Sequence, residues 1–144
     1  MENVADIHEL MSEPTGNHTL NVIGYVPGTN FGGGQFYWDA SKPKSQHNGI
    51  TIFSPTVPWD GSHAGLAAFL AGVGETSPSG IGCWVRVQES SEMLVSWAGV
   101  DISGATETDD AVMAIINYAN IVKRSVRFWC GYQVWILSSC TALR

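Results

Sequence analysis

The chain has few charged residues, and basic residues are the scarcest of them. Only 14% of its 144 residues are charged, with seven Lys and Arg against thirteen Asp and Glu, so the formal net charge is -6. Because phosphate contacts require clustered Lys and Arg, this composition argues against a nucleic-acid partner. No apolar run approaches the roughly 18 residues that span a bilayer, and we expect no membrane partner.

Cysteine is also scarce, and the sequence lacks a secretory start. Cys83, Cys130 and Cys140 form no CxxC pair, and three thiols leave one over in any pairing. The amino terminus has neither the basic beginning nor the apolar centre of a signal peptide. We therefore expect synthesis in a cytoplasm and reduced cysteines.

Patterns typical of metal sites and nucleophilic catalysis are missing. No metal-ligand spacing and no Gly-x-Ser-x-Gly motif occurs around the four histidines, which are His8, His18, His47 and His63. His47 lies in a loop, where Asp39 or Asp60 is a conceivable partner. The sequence predicts no cofactor and no metal.

Two short motifs resemble chemical sites but have simpler explanations. Asp109 and Asp110 are neighbouring carboxylates, yet they fall in the first turn of a predicted helix, where the helix dipole favours negative charge. The glycines at residues 32–34 lack the Lys-Ser/Thr of a phosphate loop and lead into a strand, so they indicate a tight turn. We assign no catalytic residue.

Glycine and aromatic residues are plentiful and indicate sheets joined by tight turns. The chain has 16 Gly, six Trp, five Phe and four Tyr. Runs of β-branched and aromatic residues bounded by turn signals predict four strands, at residues 20–25, 34–39, 49–53 and 83–87. Residues 63–70 predict one short helix between them. The result is a β-rich module over residues 20–90, preceded by a polar segment, residues 1–19, expected to be a flexible lead-in or attachment arm.

The second half of the chain begins with a predicted strand and a well-marked helix. Residues 95–101 form an apolar, strand-like run, and residues 106–119 follow with a helical pattern that Thr106 or Thr108 would cap. The apolar stripe of that helix is formed by Val112, Ile115, Ile116 and Ala119. Residues 125–128 predict a further strand.

Several short sequence motifs, in the order in which they occur, resemble the amino-terminal module of phage and prophage tailspike or tail-fibre proteins. They are Val22-Ile23-Gly24-Tyr25, Gly32-Gly33-Gly34-Gln35-Phe36-Tyr37-Trp38-Asp39, His47-Asn48-Gly49, Ser54-Pro55-Thr56 and Gly82-Cys83-Trp84-Val85-Arg86. The segment 95–119 resembles the first part of pectate-lyase-like right-handed β-helices. Together the two resemblances cover about residues 20–120.

The resemblance implies a mainly β fold with one or two short helices, in which the β-rich module precedes the first helix and first strand of a right-handed parallel β-helix. Residues 91–144 would be an incomplete β-helix, since a stack needs at least about three repeats. We therefore expect a truncated spike without catalytic coils, and an apolar edge at Trp135, Ile136 and Leu137.

The resemblance also implies the protein's partners and place. It indicates a homotrimer in the virion tail, made in the bacterial host, that joins a phage baseplate or tail protein to a spike recognising bacterial surface polysaccharide. Depolymerase activity, frequent in full-length relatives, is expected to be absent from this chain.

A different class of function remains open, that of a small carbohydrate-binding module with stacking aromatic residues. Its candidate surfaces are Tyr25, Tyr37, Trp38, Trp59 and Trp84, with Tyr37, Trp38 and Trp84 as possible glycan contacts. Strand alternation places Tyr37 on the face opposite Phe36, so at least one of the two faces is expected to belong to the core.

Overall fold

A computed structural model describes residues 2–16, 18–88, 92–130 and 133–136, with side chains described as far as Phe128. The elements in these ranges are β1 (Glu2–Val4), α1 (Ile7–Leu10), β2 (Thr19–Gly24), β3 (Gly32–Pro43), β4 (Ile52–Phe53), α2 (Leu66–Leu70), β5 (Ile81–Arg86), β6 (Glu92–Leu94), α3 (Asp109–Val122), β7 (Ser125–Cys130) and β8 (Gln133–Ile136). Short 3-10 turns occur at Lys44–Gln46 and Val95–Ala98. The fold is mixed α/β, with more helix than the sequence predicted.

The larger sheet has five strands in the order β1-β2-β3-β5-β4. β1 runs parallel to β2, whereas β2, β3, β5 and β4 pair antiparallel. The central pair β3 and β5 aligns Trp38 with Trp84 and Phe36 with Arg86. This register places Phe36, Trp84 and Arg86 on the face that packs into the core.

Residues 2–10 pair with the larger sheet and pack against its core. β1 adds to the sheet edge beside β2, and α1 follows with its Ile7 and Leu10 side chains fully buried. Asp6 caps α1 by accepting a hydrogen bond from the Glu9 amide at 2.8 Å. Burial and strand pairing join this segment to the module, because two apolar side chains at helical spacing find a sheet face to cover. The division of the chain at residues 19 and 90 stays a prediction.

Three of the four strands predicted in the module are confirmed as β2, β3 and β5, although β3 runs four residues further, to Pro43. The fourth shrinks to Ile52–Phe53, because the Asn48 side chain takes the backbone N–H groups of the residues before it. The helix predicted at residues 63–70 begins later, at Leu66.

One continuous core underlies the larger sheet and extends to the second half of the chain. Its largest fully buried side chains are Trp84, Tyr25, Phe36, Phe53 and Phe69. α3 packs onto the same core through Ala111, Ile115 and Ala119. Ile115 and Ala119 of the predicted stripe are thus confirmed as buried, Val112 and Ile116 pack against the core while partly buried, and Ala111 was not predicted. Thr108 occupies the N-cap position, but its hydroxyl accepts from the Asp101 amide instead of capping the helix.

The expected β-helix is not seen in the residues that the structure describes. β6 and β7 pair in parallel, as neighbouring coils would, but β8 returns antiparallel to β7 and closes a three-stranded sheet β6-β7-β8. The strand predicted at residues 125–128 is confirmed as β7. Residues 95–98, expected as a strand, form a 3-10 turn that ends at Gly99 in the left-handed conformation. The side chains of Trp135, Ile136 and Leu137 lie outside the described ones.

Across the described residues, no helix is both long and apolar enough to cross a bilayer.

Candidate functional site

The predicted glycan contacts do not form one shared surface. Trp84 is 0% exposed and lies in the core, so no face of its indole is open to a sugar. Trp38 is half-buried and packs edge-on against Trp84, with ring centroids 5.4 Å apart. Tyr37 is 41% exposed on the opposite face of β3, as strand alternation predicted. Tyr37 therefore offers an accessible ring, Trp38 offers part of one, and Trp84 is removed from this candidate set by its burial.

The two additional aromatic candidates also belong to the packing. Tyr25 is fully buried and donates a hydrogen bond to the Gly49 carbonyl at 2.6 Å. Trp59 is partly buried, stacks on Phe69 with ring centroids 5.0 Å apart, and donates its indole N–H to the Ser62 carbonyl. Both residues hold loops onto the core.

The His-Asn-Gly word builds the turn before β4. Asn48 accepts hydrogen bonds through its Oδ1 atom from three successive backbone amides, those of Ile50, Thr51 and Ile52, at 2.8, 2.8 and 3.1 Å. His47 Nδ1 accepts from the Ser54 amide, so Nε2 carries the proton that it donates to the Phe69 carbonyl at 2.6 Å. Burial lowers the pKa of His47, which keeps the ring neutral.

His47 bonds to the Ser54 amide and the Phe69 carbonyl, and neither Asp39 nor Asp60, the partners that the sequence left open, pairs with it. Each aspartate instead binds a serine two residues later, Ser41 and Ser62 respectively, through both the serine amide and the serine hydroxyl. These bonds lower the pKa of both carboxyl groups. Both aspartates serve as turn formers.

A part-buried polar cluster surrounds Glu75, beside the Ser-Pro-Thr motif. Its carboxylate accepts from the Ser54 hydroxyl at 2.7 Å, from the Thr56 hydroxyl and from the Ser77 amide, and Lys44 donates to Thr56. Burial alone would raise the pKa of Glu75, but these hydrogen bonds hold it below the usual value. Ser54 is fully buried, and its hydroxyl points to Glu75 instead of to His47, so the trio is not a nucleophile-base arrangement.

The sequence reasoning missed Arg86, which is the most buried charge that the structure describes. Its guanidinium donates to the carbonyls of Ile50 at 2.8 Å, of Gly32 at 3.1 Å and of Gly33. The same group lies 4.7 Å from the ring centroid of Phe36 and 4.8 Å from that of Trp97. Burial lowers its pKa to about 9, which still leaves it charged at neutral pH.

A signal for this burial was present in the sequence. Arg86 follows Trp84 by two residues in an apolar strand, and residues two apart in a strand share a face. If Trp84 faces the core, Arg86 must face it too. The glycines at residues 32–34, predicted to form a tight turn, instead begin β3 and pair with β2. Arg86 thus ties the start of β3, the Asn48 turn and Trp97 into one unit.

A groove of about 410 Å³ opens at the junction of the two sheets, next to Trp97. Its lining residues are Gly34, Gln35, Val87, Glu92, Leu94, Trp97 and Arg127. Arg127 and Glu92 form a two-pronged ion pair across its edge, with N–O distances of 2.7 and 3.2 Å. No sequence motif marked this groove, because its walls come from four separate segments.

Metal and thiol chemistry find no assembled site in the described part of the chain, where no group of three His, Cys, Asp or Glu side chains is placed to hold an ion. Cys83 is a buried free thiol, and burial raises its pKa to about 11. The side chains of Cys130 and Cys140 lie outside the described ones.

Comparison with known proteins gives one family and a group of related structures. The profile described as "Phage tail protein small four-stranded beta-sheet domain" matches residues 3–89. No curated protein matches the sequence with significance.

Three solved structures share the fold. The tailspike protein of Acinetobacter phage vB_ApiP_P1 has a TM-score of 0.57 and 20% identity, over 88% of this chain and 18% of that one. Tailspike gp49 of the Acinetobacter baumannii bacteriophage Fri1, a capsular polysaccharide depolymerase, has a TM-score of 0.58 and 17% identity, over 85% of this chain and 18% of that one. Pantoea stewartii WceF, a glycan biofilm modifying enzyme with a bacteriophage tailspike-like parallel β-helix fold, has a TM-score of 0.57 and 18% identity, over 84% of this chain and 14% of that one. This chain therefore spans less than a fifth of each.

Proposed function

This chain belongs to the family of phage tail protein small four-stranded β-sheet domains, and from that premise we propose that it is the virion-attachment module of a tailspike. The spike in question would recognise a bacterial surface polysaccharide. The observation that carries the proposal is the family match over residues 3–89, which takes in the larger sheet except for its first residue, Glu2. The place of such a protein is the virion tail.

The coverage of the solved structures supports an attachment role over a catalytic one. More than four-fifths of this chain aligns with less than a fifth of each of the three proteins. A segment shared by a depolymerase and by other tailspike-like proteins fits a common structural task better than the recognition of one polysaccharide. In our proposal, cleavage by any full-length spike resides outside these residues.

The partners in this proposal are two further copies of the chain, forming a homotrimer, and a phage baseplate or tail protein. Apolar side chains available for such contacts lie on several elements of the surface. They are Ile23, Val73, Ile81, Met113 and Ile121, each at least half exposed. Association would bury this surface, at a gain of about 25 cal/mol for each Å².

Reconstitution tests the attachment role directly. The purified 144-residue chain is mixed with particles of the parent phage that lack their spike, and bound chain is measured after sedimentation. We expect saturable binding and a trimeric mass in solution by light scattering. A folded chain that does not bind the particles would overturn the attachment role, and shortening of a capsular or O-antigen polysaccharide by this chain would overturn the absence of activity.

The carbohydrate-binding alternative is favoured by one observation, the accessible ring of Tyr37 on β3. Glycan affinity that is lost on Trp38→Ala or Tyr37→Ala, while the fold persists, would support it. Particle binding without glycan affinity would favour the attachment role instead.

A further inference from the structure

The groove at the junction of the two sheets, hereafter the Trp97 groove, has side chains of a kind that binds small ligands. Its volume of about 410 Å³ falls in the range of roughly 300 to 1,000 Å³ that is usual for ligand sites. Four of its lining residues carry the argument: Trp97 as an aromatic floor, and Gln35, Glu92 and Arg127 as polar walls. The attachment role uses none of them.

Trp97 is fixed before any ligand arrives. The Arg86 guanidinium lies 4.8 Å from the centroid of the indole, and Arg86 is itself held by the carbonyls of Ile50 and Gly32. The half-buried ring also lines the groove, so part of its surface remains accessible beyond the area that Arg86 covers. A ring held in this way loses little conformational freedom on binding, which favours affinity.

The polar wall is built from planar side chains whose charges cancel. The Arg127 and Glu92 side chains are bonded to each other, yet they keep exposed fractions of 45% and 29%. An arginine has five N–H donors, of which this pair uses two. Gln35 projects from the exposed face of β3 and adds both a donor and an acceptor. Because the cation and the anion neutralise each other, the wall offers hydrogen bonds without favouring a charged ligand.

We propose that the Trp97 groove is a binding site for neutral saccharides. A pyranose ring has an apolar face of C–H groups and a rim of hydroxyls. Its face matches the Trp97 ring and the apolar side chains of Val87 and Leu94, and its hydroxyls match Gln35, Glu92 and Arg127. An acidic ligand would meet the Glu92 carboxylate, and an amphipathic peptide would need a wider apolar surface than one indole with two aliphatic side chains provides.

The Trp97 groove also connects with the accessible ring on β3. Gln35 and Tyr37 are two residues apart in the same strand and share its exposed face, at a spacing of roughly 7 Å. A saccharide longer than one unit could therefore pass from Trp97 along Gln35 to Tyr37. This path does not use Trp84, which the core occupies.

Nuclear magnetic resonance on the full 144-residue chain tests the site with defined probes. The 15N-labelled chain is titrated with the methyl glycosides of glucose, galactose, mannose and N-acetylglucosamine, each to high millimolar concentration. We expect saturable shifts of the Trp97 indole N–H and the Gln35 side-chain amide with at least one probe. Trp97→Phe identifies the indole signal and preserves a ring.

The variants separate the groove from the rest of the surface. Trp97→Ala should weaken binding about twofold to tenfold, the range for losing one aromatic contact, and Gln35→Ala should also weaken it. Asn120→Ala, at an exposed position on α3, should leave affinity unchanged. Trp97→Ala also removes the ring that packs against Arg86. If Trp97→Ala does not fold, Gln35→Ala tests the site instead.

Three results would overturn the proposal. One is the absence of saturable shifts at Trp97 and Gln35 with every probe. Another is binding that Gln35→Ala, together with Trp97→Ala where that variant folds, leaves unchanged. The third is a shift of the Trp97 signal with protein concentration alone, since a second copy of the chain would then fill the groove. None of these results bears on particle attachment, which is measured separately.

Discussion

Replacing Arg86 by methionine should destabilise the protein strongly, although no catalytic role is assigned to it. Methionine keeps much of the side-chain volume but removes every donor. The carbonyls of Gly32, Gly33 and Ile50 would then lose the donor that now satisfies them. A buried polar group left without a partner costs about 1 to 3 kcal/mol. Three carbonyls therefore give at least about 3 kcal/mol, even at the lower limit of that range.

Two further contributions act in opposite directions. Loss of the contacts to Phe36 and Trp97, at 4.7 and 4.8 Å, removes cation-π attraction, worth about 0.5 to 2 kcal/mol. Removal of a charge from the interior returns part of its desolvation penalty, the same penalty that lowers the pKa of Arg86 to about 9. With these effects largely cancelling, we expect a loss of about 3 to 4 kcal/mol, a large part of the roughly 5 to 15 kcal/mol that stabilises a domain.

Urea unfolding followed by tryptophan fluorescence and circular dichroism measures this loss. Arg127→Met is the matched control, because Arg127 makes its ion pair at the surface, where such pairs contribute about 1 kcal/mol or less. Arg86→Lys should fall between the two, since an ammonium cannot reach three carbonyls and cover two rings together. If Arg86→Met were no less stable than Arg127→Met, the guanidinium would not be holding the turns, and our reasoning on the unit around Trp97 would fail.

Three other substitutions test how His47, Asn48 and Gly99 contribute to the stability of the fold. Burial holds the folded pKa of His47 below the unfolded 6.5, so the unfolded chain takes up a proton first as pH falls below that value. Stability should therefore decrease over this window, and His47→Gln, compared at pH 7.5 and pH 5 by thermal unfolding, should show a smaller decrease than the parent; an equal one would contradict the assignment. Asn48→Ala removes the acceptor of three backbone amides and should cost about 2 kcal/mol or more in urea unfolding, whereas Asn117→Ala on the exposed side of α3 should be nearly neutral. Gly99→Ala places a side chain on a residue in the left-handed conformation, with φ of 81°, and its Cβ would lie 2.9 to 3.0 Å from side-chain atoms of Leu66 and Tyr25. Gly104 has a similar φ of 76° but no atom near the Cβ that alanine would add, so in urea unfolding Gly99→Ala should lose more stability than Gly104→Ala. Equal losses would mean that the steric contact adds no cost to the backbone strain.

Local sequence patterns were sufficient to predict the elements whose residues repeat at a clear helical or strand period. β2, β3 and β5 follow from runs of β-branched and aromatic residues, and α3 follows from its helical stripe. β1 has only three residues, and its pairing partner Leu20–Val22 lies about eighteen positions away, so no short window contains the reason for its formation. The antiparallel return of β8 is likewise set by a pairing that the local pattern does not encode.

The candidate site was harder to predict, because an aromatic or charged residue can bind a ligand only where it is exposed, and the sequence does not show which of them are buried. Trp84 and Tyr25 have the side-chain chemistry of sugar-stacking residues, but both lie in the core. The register of β5 buries Trp84, whereas Tyr25 follows the end of β2 and is held by its hydrogen bond to the Gly49 carbonyl. Arg86 reads as a surface cation by composition and is buried by the same register. Trp97 became a candidate only when the structure brought it beside Gln35 and Arg127, which are 62 and 30 positions away in the sequence.

The contacts of the Trp97 segment show how the two halves of the chain depend on each other. Gly32 accepts no larger residue, because a Cβ there would lie 2.4 Å from the Ser96 carbonyl oxygen. Arg86 then joins Gly32, at the start of β3, to Trp97, and the Thr51 hydroxyl lies 3.0 Å from the Tyr118 hydroxyl of α3. These contacts cross residue 90, so a disturbance of the turns around Arg86 reaches the second sheet through the packed segment that precedes α3. A continuous core thus links the two sheets in a module that we propose to join a virion to its spike.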